Sequence, residues 1–169
     1  MKIINWLFKK STPREDASHY SREEEWFSGF THLLGLLGSC YGVYYLFQLP
    51  GTMQSSMHMA VYLLWGATII ALYLASICYH LCYDPELKKR LRLVDHICIY
   101  YIIAGHYTVF CVLHLPPTWG ISMLVVTWIL ALLGTFYKIV YLGIYENFST
   151  ALYLFMGCLA LIAIEPMYT

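Results

Sequence analysis

The chain has 169 residues, of which 60% are hydrophobic and 12% are charged, and its formal net charge is zero. Soluble domains carry about 25% charged residues, so this composition excludes an ordinary soluble enzyme and indicates a membrane protein. The ten basic residues are too few for a nucleic-acid-binding surface. Neither a phosphate-binding glycine loop nor a Ser-His-Asp nucleophile pattern is present.

Residues 1–25 form a polar segment that we expect to be a cytosolic N-terminal tail. Its apolar run is too short for the core of a cleavable signal peptide, so we expect the first transmembrane helix to direct insertion. Ser21 followed by Glu24 fits a capping box and predicts that a helix starts near residue 22. The six cysteines all lie in apolar segments and are interpreted as reduced, packing residues.

Five long apolar stretches follow the tail, and each is long enough or nearly long enough to cross a bilayer. They are interpreted as helices, because an open sheet cannot satisfy its backbone hydrogen bonds in lipid. The predicted fold is therefore an all-α integral membrane protein, a bundle of five transmembrane helices within residues 26–169. The predicted helices are 26–48, 57–81, 93–115, 119–142 and 148–164.

The basic residues give the orientation of this bundle. All ten Lys and Arg residues fall on one side of the membrane if the N-terminus is cytosolic, since the loops 49–56 and 116–118 contain none. Four of them form a run between the second and third apolar stretches, which we interpret as a short cytosolic loop: Lys88, Lys89, Arg90 and Arg92.

Three polar residues lie where the second and third helices meet this loop. Ser76 and His80 are four residues apart and share one helix face, and Asp95 opens the third helix on the same side of the membrane. Imidazole is a good Zn²⁺ ligand, and a nearby carboxylate or hydroxyl can orient a ligand or a water molecule. Two interpretations stay open, a metal site and a hydrogen-bonded triad that ties the two helices together.

Other histidines are weaker candidates. His106 follows Asp95 by eleven residues, so it lies on about the same face but roughly 16 Å deeper, too far for the same metal ion. It either lines a cavity or hydrogen-bonds a neighbouring helix. His96 faces about 100° away from Asp95. His32 needs a partner inside the membrane, and Glu25, two turns before it, is too distant to serve directly.

Sequence motifs in all five predicted helices resemble those of the haemolysin III family of the progestin and adipoQ receptor (PAQR) superfamily. The resemblance covers about residues 22–168, with several motifs agreeing in order and spacing. The matching motifs are Glu24-Glu25 with Thr31-His32, Ser76-x-x-Tyr79-His80, Asp95-His96 with Ala104-Gly105-x-Tyr107-Thr108, Trp128 with Ala131, Gly134 and Lys138, and Ser149-Thr150-x-x-Tyr153 with Met156-Gly157.

The resemblance implies a seven-helix bundle with a Zn²⁺ site, of which this chain would hold the first five helices. His80 would be a metal ligand, and Asp95 and Ser76 would support it or position water. The family's remaining ligands are a His-x-x-x-His pair on its seventh helix, and no such spacing occurs in this sequence. We therefore expect weak zinc binding by this chain alone, and either a truncated reading frame or a site completed by another chain.

Three functions follow from the resemblance and the composition. The first is metal-assisted hydrolysis of a lipid amide or ester, with Asp95 as general base, or a related role in membrane homeostasis. The second is a non-enzymatic pore-forming, cytolytic protein, and the third is a non-functional fragment. In each case the expected location is a bacterial plasma membrane, and the expected partners are the lipid bilayer and, for the hydrolase, a lipid substrate.

Overall fold

The computed structural model describes residues 20–51, 55–142 and 144–164, and all the regular elements in these ranges are helices. The all-α prediction is confirmed. The helices are α1 (Arg22–Gln48), α2 (Ser56–Leu81), α3 (Pro85–Leu113), α4 (Pro117–Tyr141) and α5 (Glu146–Cys158), and α5 continues as a 3₁₀ helix over Leu159–Ala163.

Within the described ranges, four segments are long and apolar enough to cross a membrane: α2, α3, α4 and the combined segment Glu146–Ala163. Helix α1 has 27 residues, which gives it a length of about 40 Å and so enough reach to span a bilayer. It is not among the four because its glycines, its tyrosines and His32 lower its hydropathy. The chain is a multi-pass membrane protein, and the membrane crossing of α1 stays a prediction.

Helix α1 starts where the sequence predicts. The Ser21 hydroxyl accepts a hydrogen bond from the Glu24 amide at 3.3 Å, and the Ser21 amide donates to the Glu24 carboxylate at 2.6 Å. This capping box satisfies amides that a helix start would leave without partners. The hydrogen bond from the Ser21 amide lowers the pKa of Glu24. Most of the predicted tail lies outside the described residues.

The basic run between α2 and α3 is helical, so its interpretation as a loop is wrong. Asp84 caps α3 by accepting a hydrogen bond from the Leu87 amide at 2.7 Å, and Pro85 occupies the first turn. An Asp-Pro pair is a helix-start signal, because proline has no amide hydrogen to leave unsatisfied there. The prediction followed the start of the apolar residues instead. The first turns of α3 therefore carry Lys88, Lys89, Arg90 and Arg92.

The main packing interfaces join α1 to α2, α2 to α3 and α3 to α4, while α5 packs less extensively on α3 and α4. Short connections make successive helices antiparallel. The starts of α1, α3 and α5 and the ends of α2 and α4 therefore lie together, and we call this the basic end. All the basic residues of the described ranges belong to it.

The core is centred on α3. Tyr100 is 0% exposed, and its hydroxyl is 2.8 Å from the Ser149 hydroxyl of α5. Its ring lies against the backbone of α4 at Gly134, where a Cβ atom would come within 2.4 Å of the ring. In lipid the hydrophobic effect does not drive helices to associate, so close packing of small residues and polar contacts hold them together. Of the six cysteines, all of which are free, Cys111 alone is buried in this core.

Further hydrogen bonds attach α3 to its neighbours. The Trp128 indole donates to the Thr108 hydroxyl at 3.0 Å, and the Tyr107 hydroxyl donates to the Met156 carbonyl at 2.7 Å. At the basic end, the Lys138 ammonium donates to the Glu146 carboxylate, and Arg92 lies 3.7 Å from the same carboxylate. Lys138 is 1% exposed, so its charge depends on Glu146.

The contact between Gly134 and Tyr100 gives a test of helix packing. We expect Gly134→Ala to lower the free energy of unfolding by about 1–3 kcal/mol, because the fully buried ring cannot move away from the added methyl group. Gly38→Ala is the matched control, since a Cβ atom at Gly38 meets nothing within 4 Å. Alanine there should be neutral or slightly stabilising. Denaturant titration of the purified protein in detergent measures both, and equal effects would contradict the packing argument.

The ion pair of Lys138 with Glu146 at the basic end predicts that loss of the carboxylate alone is more destabilising than loss of both charges. Glu146→Gln should lower the unfolding free energy by about 3 kcal/mol, because it leaves the buried Lys138 ammonium without its carboxylate. The double variant Lys138→Met with Glu146→Gln should recover part of this loss, since the buried charge is gone.

Glu86→Gln is the control for this pair. Glu86 lies in the first turn of α3, as Glu146 does in that of α5, but it is exposed. The same denaturant titration applies, and a double variant less stable than Glu146→Gln would refute the assignment.

Candidate functional site

Two of the predicted site residues are joined by a direct hydrogen bond at the basic end. The Ser76 hydroxyl of α2 donates to the Asp95 carboxylate of α3. Ser76 is 3% exposed, and Asp95 is partly buried. The antiparallel packing of α2 on α3 brings the last turns of one helix beside the first turns of the other. The predicted convergence of these two side chains is confirmed.

The third predicted residue, His80, lies one turn further along α2, and its contact comes from α1. Its Nδ1 is 2.7 Å from Oε2 of Glu25, which is 7% exposed. The other carboxylate oxygen of Glu25 is 2.9 Å from Nζ of Lys88. One buried carboxylate therefore joins α1, α2 and α3.

Sequence reasoning missed this role of Glu25, because apart from the family motif it considered Glu25 only as a direct partner for His32. A usable signal was present. Glu25 and His32 are seven residues apart and share a face of α1. Helix α2 places Ser76 and His80 on one face by the same rule. Packing the polar face of α1 on the polar face of α2 brings Glu25 to His80.

His32 stacks on His80, with ring centroids 5.2 Å apart and an interplanar angle of 29°. Its own Nδ1 lies 2.6 Å from the Ser28 carbonyl of the preceding turn. Glu25 does not serve His32, in agreement with the prediction, and the partner that His32 needs is supplied by its own helix. The Tyr73 ring meets His32 edge-on at 6.1 Å.

Lys88 reaches this cluster because α3 begins at Pro85. Its ammonium lies 5.0 Å from the centroid of the Tyr79 ring and within 3.4 Å of the Cys82 carbonyl. An ammonium over an aromatic face is attracted by the electron density of the ring. Lys88 is thus held by α2 as well as by Glu25.

The two histidines of α3, His96 and His106, lie apart from this cluster. Nδ1 of His96 donates to the Arg92 carbonyl at 2.6 Å. His106 is exposed; its Nδ1 donates to the Ile102 carbonyl at 2.8 Å, and its ring meets Trp65 edge-on at 5.8 Å. The alternative in which His106 hydrogen-bonds a neighbouring helix is wrong. It lines an apolar groove of about 440 Å³ between α3 and the last helix, together with Ile102, Ile103, Tyr107, Phe110, Gly157 and Ala160.

The residues of the site fit part of a zinc centre. Ligating histidines usually donate one ring N–H to a carboxylate and bind the metal through the other nitrogen, and His80 has that arrangement with Glu25. In the described ranges, however, no group of three or more His, Cys, Asp or Glu side chains could hold a metal ion. Three protein ligands are usual for catalytic zinc. The described residues could therefore supply at most one ligand, His80, with a supporting carboxylate, and not a complete centre.

The chain is similar to known bacterial proteins. A family model described as "Haemolysin-III related" matches residues 20–169. The Hemolysin-3 homolog of Bacillus subtilis (strain 168) is 34% identical over 149 residues, which cover 88% of this chain and 70% of that protein. Hemolysin-3 of Bacillus cereus is 30% identical over 146 residues, which cover 86% of this chain and 67% of that protein. No solved structure matches the chain significantly.

The hydrogen bond between Ser76 and Asp95 also bears on stability. Ser76→Ala should lower the unfolding free energy by about 1.5–3 kcal/mol, because it removes a partly buried hydrogen bond to a charged group that joins two helices. Ser122→Ala is the control, since the Ser122 hydroxyl is exposed and bonds only the Thr118 carbonyl of its own helix. Thermal and denaturant unfolding in detergent measure the difference. A loss of unfolding free energy no larger than that of the control would show that the bond does not stabilise the packing of α2 on α3.

Proposed function

This chain belongs to the haemolysin III-related family, and from that premise we propose that its basic end faces the cytosol and carries a partial zinc site for chemistry on membrane lipids. It is a haemolysin III-like, multi-pass membrane protein, and the two relatives described above are bacterial. We place it in a bacterial plasma membrane. The cytosolic orientation follows the distribution of basic residues.

One observation carries the proposal: the hydrogen-bonded pair of buried Ser76 and partly buried Asp95 lies one helical turn from a histidine whose Nδ1 bonds a carboxylate. Buried polar groups at the border of an apolar region are costly, and are functional candidates for that reason. In the proposed site His80 is the metal ligand. Asp95 accepts a proton from an attacking water molecule, and Ser76 fixes the orientation of the Asp95 carboxylate.

Zinc, when bound, supplies Lewis-acid chemistry that stabilises negative charge developing on an oxygen atom. The substrate class we propose is a lipid with an amide or ester bond near the inner leaflet, because the site lies at the border of the apolar segments. The family resemblance implies that a His-x-x-x-His pair supplies the other ligands. Without such a pair, the chain should bind zinc weakly.

The test is zinc binding and lipid turnover by the purified chain in vesicles of phosphatidylcholine and phosphatidylglycerol. His80→Ala should lower zinc affinity at least about 100-fold, since it removes a direct ligand, a larger change than loss of a supporting residue causes. Asp95→Asn should lower hydrolysis by about 10²-fold or more if Asp95 is the base. His114→Ala, an exposed residue at the opposite end of α3, is the control. Zinc binding and turnover that are unchanged in His80→Ala would refute the proposal.

A cytolytic function is the second candidate, because two of the relatives carry the name hemolysin. Dye-loaded vesicles of the same composition distinguish it from the hydrolase. Leakage that persists in His80→Ala, with no lipid turnover in the wild-type chain, would favour the cytolytic function.

A further inference from the structure

We propose that Glu25 is a positioning residue for His80: its carboxylate determines which ring nitrogen of His80 is available to bind a metal ion. This inference rests on the proposed function, in which His80 binds a metal ion. It goes beyond that function by assigning a role to a residue of α1. The geometry on which it rests is independent of any metal.

The first step is the hydrogen bond itself. Oε2 of Glu25 lies 2.7 Å from Nδ1 of His80. A carboxylate can only accept a hydrogen bond, so Nδ1 carries the proton, and in the neutral ring the lone pair is then on Nε2. Among the described residues, no hydrogen-bond partner occupies Nε2. Glu25 therefore leaves Nε2 as the ring nitrogen of His80 that can bind a metal ion.

The second step is what holds Glu25 in place. A buried carboxylate needs a charged partner, and Lys88 provides it at 2.9 Å from Oε1. Lys88 is in turn fixed over the Tyr79 ring. The two oxygens of Glu25 thus have separate partners on α2 and α3, and this arrangement prevents the carboxylate from turning away from His80.

The third step concerns the ring plane of His80. His32 stacks on that ring at 5.2 Å, two turns along α1 from Glu25. Stacking restricts the tilt of the ring, and the hydrogen bond to Glu25 restricts its rotation within the plane. Both restraints come from α1, whose start is fixed by the capping box at Ser21. Helix α1 therefore orients the imidazole ring of His80, a residue of α2.

The test is the tautomer of His80, measured by ¹⁵N NMR of histidine-labelled full chain in phosphatidylcholine and phosphatidylglycerol nanodiscs. The measurement is made at about pH 8, where an ordinary histidine is neutral. The wild-type ring should show a protonated Nδ1 and an unprotonated Nε2. Glu25→Gln offers both a donor and an acceptor, so both tautomers should appear. Glu23→Gln, an exposed neighbour on the same turn, is the matched control.

Zinc affinity is the second readout, with Zn²⁺ alone as the probe. Glu25→Gln should weaken binding by about 10–100-fold, the usual effect of removing a residue that supports a ligand, while Glu23→Gln should leave it unchanged. The double variant Glu25→Gln with Lys88→Met should show the same tautomer change. It also removes the buried ammonium that Glu25→Gln leaves without its carboxylate, so poor folding of the single variant does not block the test.

The outcomes separate the two proposals. A wild-type chain that binds no zinc overturns the proposed function, while the tautomer result still decides the role of Glu25. A wild-type chain that binds zinc, with an unchanged His80 tautomer in both Glu25 variants, overturns the role of Glu25 and leaves the proposed function standing.

Discussion

The basic end of the molecule depends on one buried carboxylate. Glu25 accepts from His80 of α2 and pairs with Lys88 of α3, so a single side chain of α1 joins three helices. A charge in this position is tolerated only because both oxygens have partners. The contacts on which the proposed ligand role of His80 rests therefore also attach α1 to the rest of the bundle.

Helix α3 organises the remainder of the structure by a different means. Its tyrosines and Thr108 exchange hydrogen bonds with α4 and α5, and its ring at Tyr100 fills the space beside Gly134. Apart from the hydrogen bond of Tyr107 to the Met156 carbonyl, these contacts combine a small residue on one helix with a large aromatic residue that carries a polar group on the other. That combination suits lipid surroundings, where apolar area alone does not favour helix association. The site lies at one end of this scaffold, where α3 meets α2.

Most of the fold follows from patterns that act within a single segment. Apolar length and helix-start signals gave the helices, and the capping box at Ser21 gave the start of α1. The error at the start of α3 arose because the Asp84-Pro85 signal was given less weight than the charges after it. The site was only half predictable. The positions of Ser76 near the end of α2 and Asp95 near the start of α3 indicate their contact. The contact of Glu25 with His80 spans 55 residues and follows only when the polar faces of α1 and α2 are packed on each other.

The 3₁₀ segment after α5 has a consequence for bilayer thickness. Glu146–Ala163 is the shortest of the four membrane-span candidates, at 18 residues. As a continuous α-helix it would extend about 27 Å. With its last five residues in 3₁₀ form, each rising about 2.0 Å instead of 1.5 Å, it reaches about 30 Å. That is the thickness of a typical hydrocarbon core. The tighter final winding thus brings the shortest of the four described candidate spans to about the thickness of the hydrocarbon core.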